Sequence, residues 1–256
     1  MMKRIAMKLR YLGTNYHGWQ RQPNEVTVQE VLENALSDVC GEEIRVVGCG
    51  RTDAGVSAYQ YCVSFDSATR IPLQRMPLAV NAHLPADIAV QAAVEAPAGF
   101  NAISSCVKKM YIYQIHNSRI RDPFVTPFSY PYPTPLDVSR MAEAASAFIG
   151  THDFAAVRNV GTETKTTVRT MYNCNVHQDK DSIAIYMTAD GFLYNMARTI
   201  AGTILYAAIG KLELGEIPAL LKCGDRGQMG PTLPPEGLML ANLWYEGAVG
   251  ELFRNQ

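Results

Sequence analysis

The order of elements legible in the sequence predicts an α/β protein built as two ferredoxin-like β-α-β-β-α-β subdomains with a cleft between them. Three observations carry this. Period-two apolar alternation and helical apolar stripes follow one another in the same order in each half. The 256 residues suffice for one large domain or two of ordinary size. The chain is 48% hydrophobic and 18% charged, which supports a sizeable core and excludes wholesale disorder.

In the first half, residues 3–11 set Ile5, Met7, Leu9 and Tyr11 against Arg4, Lys8 and Arg10, a half-buried strand with a basic outer face. A loop with Tyr16, His17, Trp19 and Arg21 follows. Thr27 and Glu30 form a capping box ahead of a helix whose stripe is Val28, Val31, Leu32, Ala35, Leu36 and Val39. Residues 44–47 read as a short strand running into a glycine-rich turn. A second strand follows, with Tyr59, Tyr61, Val63 and Phe65 on one face. Pro72 opens a short helix to about residue 82, with Pro77 limiting its regularity. Ile88, Val90, Ala92 and Val94 alternate as a further strand.

The second half begins after a junction near residues 96–105. The subdomains are therefore assigned to 1–103 and 104–256. Tyr111, Tyr113 and Ile115 mark a strand. Thr134 caps a helix with Pro135 at its first position, Met141, Ala142, Ala145, Phe148 and Ile149 as its stripe, and Gly150 as its stop. Strands at 168–176 and 183–189, a long helix at 192–209 stopped by Gly210, a short helix near 216–222 and a strand at 238–245 complete the order.

Composition narrows the function. Lys plus Arg number 23 against 24 Asp plus Glu, a net charge of -1. A neutral total argues mildly against a nucleic-acid partner, but it is compatible with a one-sided basic cleft. Six cysteines without a C-x-x-C pair, and histidines without ligand spacing, speak against a metal site and fit a reducing cytoplasm. No stretch reads as a membrane span.

Two features stand out chemically. The turn at residues 48–57 holds three glycines, with Arg51 and Asp53 two apart, immediately after an apolar run. It lacks the third glycine and following helix of a dinucleotide site. It has no second aspartate turn, as an aspartic protease needs, and no second flanking carboxylate, as a glycosidase needs. A lone carboxylate near arginines suits nucleophilic catalysis. The second feature is Arg198, the one charged residue between Gly191 and Gly210 in an otherwise apolar helix. A guanidinium there needs an anion, either a substrate phosphate or a protein carboxylate such as Asp53. Lys108 and Lys109 before Tyr111 and Tyr113, and Trp19 with Arg21 in the first loop, mix aromatics with bases as nucleic-acid stacking surfaces do.

The 50–56 segment Gly-Arg-Thr-Asp-Ala-Gly-Val resembles the signature of the tRNA pseudouridine synthase A family. The resemblance extends to the 16–22 segment, Val28-Gln29 with the following Leu32-Glu33-x-Ala35-Leu36, the 80–90 run, Tyr111-x-Tyr113, His152-Asp153-Phe154, the 192–198 segment and the 231–240 run with its Glu236-Gly237-Leu238. It covers the chain in colinear order.

The resemblance implies a cofactor- and metal-free enzyme that isomerises uridine to pseudouridine at positions 38, 39 and 40 of the tRNA anticodon stem-loop. It implies Asp53 as nucleophile, Tyr111 stacked on the flipped base, Arg198 paired with the aspartate, and Arg51 holding the displaced nucleotide. It also implies tRNA as partner, a cytoplasmic homodimer and a positively charged cleft, to which Trp19, Arg21, Lys108 and Lys109 are assigned. The chain departs from the family pattern at Ser57, where histidine is frequent, and at Ile103, where arginine is usual. The alternatives are a non-catalytic RNA-binding protein and a synthase acting on a different uridine.

Overall fold

A computed structural model describes residues 2–159 and 164–254. Its elements run β1 (Lys3–Tyr11), α1 (Val28–Cys40), β2 (Val47–Gly48), β3 (Ser57–Ser67), α2 (Met76–Asn81), β4 (Ile88–Glu95), β5 (Lys108–His116), β6 (Tyr130–Pro131), α3 (Val138–Ser146), β7 (Gly150–Asp153), β8 (Val168–Asp179), β9 (Ser182–Ala189), α4 (Met196–Ala208), α5 (Ile217–Cys223), β10 (Leu238–Trp244) and α6 (Gly247–Arg254). The class is mixed α/β. The chain divides into two compact units, one of residues 1–108 with 240–256 and one of residues 109–239. The C-terminal segment thus belongs with the first unit, whereas the sequence expectation runs the second half to residue 256.

In the first unit β1 pairs antiparallel with both β3 and β4, and β10 lies on the far side of β3. Ile5, Met7, Leu9, Val63, Phe65, Leu32 and Leu36 form its core. α1 starts where the capping box predicts: Thr27 accepts the Glu30 N–H at 3.4 Å, and Gly41 closes the helix at φ +70°.

The expected strand at 44–47 shrinks to Val47–Gly48. The backbone before it is paired with a helix instead of a strand. Ile44 N–H donates to Ser37 Oγ at 3.0 Å and Val46 N–H to Glu33 Oε1 at 3.0 Å. The Val46 carbonyl accepts Gln29 Nε2 at 3.3 Å. Residues 29, 33 and 37 are spaced four apart on α1, so one helix face serves the segment as a ladder partner would.

The face expected to carry Tyr59 breaks at a bulge. Leu9 pairs with Tyr61 but Tyr11 with Ala58, so β3 carries an extra residue and Tyr59 turns out to solvent, under Arg10 at 3.9 Å. The expected basic face of β1 is also corrected. Lys8 is buried, its ammonium donating to the Leu252 carbonyl at 2.9 Å and lying 5.3 Å from the Phe253 ring. Arg4 is held by the Phe100 carbonyl, Ser64 and Asp66. α6, absent from the expectation, covers this face.

In the second unit β5, β9, β8 and β7 pair antiparallel in that order, with β6 parallel on β5. α3 begins at an Asp137 cap, not at Thr134, because the Asp137 carboxylate takes the Ser139 and Arg140 N–H groups. Its buried stripe is Met141, Ala144 and Ala145, continued by Phe148; Ala142 and Ile149 face outward, and Gly150 opens β7 instead of ending the helix. α4 starts four residues later than expected, after Asn195 in the left-handed region (φ +59°), a conformation that asparagine tolerates better than most residues. It is buried nearly all round, as its sequence predicts.

Candidate active site

The turn that bears Asp53 is held by groups distant in sequence. Its first residues run along β3: Val47 and Gly48 face Ser64 and Val63, and Cys49 N–H donates to the Cys62 carbonyl at 2.8 Å. The Gly50 carbonyl accepts the Tyr61 hydroxyl. Thr52 is buried, its hydroxyl 2.8 Å from that of Tyr11, and its carbonyl takes the Trp19 N–H at 3.2 Å. Val56 N–H then closes on the Asp53 carbonyl at 3.1 Å, and Gly55, at φ +82°, donates to the Tyr16 carbonyl at 3.2 Å. Asp53 is half-buried at the apex, and Arg51 is exposed.

The 16–19 loop approaches this turn backbone to backbone. Gly18 sits at φ +84°, and a Cβ there would meet the Thr52 carbonyl at 2.5 Å, so only glycine fits. Tyr16 anchors the loop by donating to Asp87 at 2.5 Å. Burial first, then this hydrogen bond and the Asp87 charge, push its phenol well above the usual range.

Trp19 departs from its expected role. It is 3% exposed, its ring centroid 4.2 Å from that of Tyr61, and its indole and the Tyr61 hydroxyl press on Gly48. No indole face is left for a base, so the structure gives Trp19 a packing role. Arg21 is exposed in part and engaged by Glu30 at 3.0 Å and Glu33 at 3.4 Å. Lys108 lies over the Trp244 ring at 4.7 Å. Arg51 has no hydrogen bond or ion pair among the described residues.

The second unit gathers another cluster. Tyr111 on β5 is 8% exposed and meets Phe192 edge to face at 4.8 Å. Phe192 belongs to the segment whose left-handed Asn195 launches α4. Arg198, in the first turn of that helix, donates Nε to the Leu233 carbonyl at 2.7 Å and an Nη to Asn195 Oδ1 at 3.0 Å. These bonds aim the guanidinium. Tyr113 is fully buried and donates to the Pro234 carbonyl at 2.8 Å, so it is a structural brace of the 230–234 loop. Burial raises its phenol pKa strongly. The same loop is tied by Arg226 to Gly230 O at 2.8 Å and Thr232 Oγ1 at 3.0 Å, and by Thr199 to Thr232 at 3.1 Å.

Phe192, Asn195, Gln29 and Glu33 lie in segments that carry the resemblance and Tyr11 on the apolar face of the first strand, but none of them receives a site role from the sequence. Only Glu33 left a signal there, as a carboxylate beside Leu32 on the apolar face of a helix.

A family profile described as tRNA pseudouridine synthase matches residues 7–103 and 144–246. The chain is 44% identical to the tRNA pseudouridine synthase A of Caldicellulosiruptor bescii over 244 residues, 95% of this chain and 100% of that one. It is 42% identical to the protein of the same name from Geotalea uraniireducens and 41% to that from Thermoanaerobacter sp., with the same coverage.

Proposed function

The chain belongs to the tRNA pseudouridine synthase family and acts as an isomerase on uridine in tRNA; from that premise we propose that Asp53 is its nucleophile and that its targets are uridines 38, 39 and 40 of the anticodon stem-loop. The observation that supports the assignment of Asp53 is the turn itself. Its neighbours at 50, 52 and 55 are each anchored to a separate element, and the carboxylate stands half-buried at the apex. Such anchoring holds a nucleophile in one geometry before substrate arrives.

In this reading Asp53 adds to the uracil ring or to C1′ of the ribose. The bond from N1 to C1′ breaks with its electron pair going to the base, the base turns, C5 bonds to C1′, the bond to Asp53 breaks to free the carboxylate, and the C5 proton leaves while N1 takes one up. The Tyr111 ring, braced by Phe192, stacks on the flipped base, and its hydroxyl assists the proton. Arg198, aimed by Leu233 and Asn195, serves the nucleophile as its cationic partner. Arg51, exposed on the same turn, holds the displaced strand. Arg21, Lys108 and Lys109 contact phosphate, Arg21 after exchange from its carboxylates. The reaction needs no cofactor, and the enzyme works as a cytoplasmic homodimer.

The test is tritium release from tRNA carrying 5-tritiated uridine. Asp53→Asn is isosteric and should fold normally yet release nothing measurable. Release near the wild-type rate would remove Asp53 from the chemistry. Mapping pseudouridine in tRNA from cells lacking the protein tests the three positions.

A further inference from the structure

We infer that Glu33, with Gln29, is a positioning residue for the Asp53 turn: the two side chains grip the backbone of Val46 and fix where the turn begins. This rests on the reading of Asp53 as nucleophile.

Glu33 is a carboxylate 1% exposed in the apolar stripe of α1. A buried carboxylate is costly unless donors surround it, and here four do. Oε1 accepts the Val46 N–H at 3.0 Å and Gln29 Nε2 at 3.0 Å. Oε2 accepts Arg45 at 2.9 Å and Arg21 at 3.4 Å. The two arginines reach it from solvent, with side chains 59% and 42% exposed. The Val46 amide and Gln29 lie on the inner side.

The grip matters because little else holds this segment. β2 contributes only two residues to the sheet. Without α1, the polar backbone of Val46 would have no partner, and the segment would be free to slide before Gly48. A shift there passes down the turn, since Asp53 stands only seven residues on and the anchors between them are a two-residue ladder and a few hydrogen bonds. α1 also holds the opposite wall of the turn. Val28 N–H donates to the Gly18 carbonyl at 3.2 Å and Gln29 N–H to that of Trp19 at 3.0 Å, and Trp19 N–H in turn holds Thr52. One helix end therefore sets both the strand leading into the turn and the loop lying against it.

The acceptor, not the charge, carries this role, and the variants separate the two. Glu33→Gln keeps an oxygen for Val46 and releases two arginines that water can solvate. Glu33→Leu removes the acceptor. Each is measured per folded molecule for single-turnover rate, for tRNA affinity and for amide exchange at Val46. A misplaced reacting group costs about 10²-fold in rate. Glu33→Leu should therefore lose about 10²-fold in turnover, with tRNA affinity held and Val46 exchange accelerated, while Glu33→Gln stays close to wild type in all three. Wild-type turnover in Glu33→Leu would overturn the inference. So would equal loss in both variants with Val46 still protected, because the charge would then be the agent. Should Glu33→Leu fail to fold, Gln29→Met replaces it: it removes the two bonds from Nε2, while the exposed Arg21 N–H that Oε1 accepts at 3.1 Å turns to water, and its turnover should fall, again without loss of affinity. Unchanged turnover in Gln29→Met would overturn the inference equally. Activity retained in Asp53→Asn would instead defeat the nucleophile reading, and the Val46 exchange would still report on the grip.

Discussion

Trp19 and Tyr61 pack ring against ring, centroids 4.2 Å apart, and the only backbone slender enough to pass beneath them is Gly48. The pair turns two large aromatics into a template for the start of the turn that bears Asp53. Gly48→Ala drives a methyl into the Trp19 ring and the Tyr61 hydroxyl. Overpacking of this kind costs about 1–3 kcal/mol. Thermal unfolding should show that loss, and activity should fall further than stability explains because the turn is displaced. A melting temperature equal to wild type would mean the rings give way freely.

Trp19 itself separates packing from RNA stacking. Trp19→Ala should cost about 3–5 kcal/mol, as truncation of a buried aromatic does. Trp19→Phe keeps most of the contact with Tyr61 and should hold tRNA affinity. A large drop in affinity for Trp19→Phe, without a matching drop in stability, would restore the indole as an RNA contact.

Tyr111→Phe keeps the ring and its edge contact with Phe192. Affinity for tRNA should persist while single-turnover rate falls by about 10²-fold or more, the range of a lost acid–base group. Equal rates would confine Tyr111 to stacking.

Alkaline pH should expose Tyr16. Its phenol is raised in the folded protein, by burial first and then by Asp87. The unfolded chain ionises near pH 10, before the folded one. The stabilisation is therefore complete below that pH and is lost as pH climbs from there toward the higher folded value. The difference between wild type and Tyr16→Phe, followed by urea unfolding at rising pH, should shrink above about pH 10. A constant difference would mean that Asp87 does not hold the neutral phenol.

Periodic apolar spacing made most elements legible: β1, β3, β4, β5, β8, β9, α1 and α4 lie where the sequence puts them, to within a few residues. What it could not show was side chains replacing backbone as partners. The 44–47 segment reads as a strand because it is an apolar run, and Ile44 and Val46 are indeed buried, yet the hydrogen bonds of these two residues go to Ser37, Glu33 and Gln29. The same blindness hid the buried ammonium of Lys8, whose partner lies 244 residues away. Asp53 and Arg198 were conspicuous because a charge in a glycine turn or an apolar helix has no packing rationale. Trp19 was misread because its neighbours in sequence are polar while its neighbours in space are Tyr11 and Tyr61.

The unit that carries Asp53 is discontinuous along the chain. β10 lies beside β3, Tyr245 donates to the Ala102 carbonyl at 2.6 Å, Val107 N–H reaches the Trp244 carbonyl at 2.8 Å, and Lys8 is capped by the Leu252 carbonyl. Synthesis on the ribosome delivers residues 1–108 first and these partners only after the 131 residues of the second unit, 109–239, have emerged. For that interval the edge of β3 away from β1 has only the 47–49 segment on it, and Lys8 has no Leu252 carbonyl to hold. The nascent half-sheet thus keeps a partly open edge of the kind that chaperones shield, and the scaffold of the Asp53 turn is the last part of the protein to be completed.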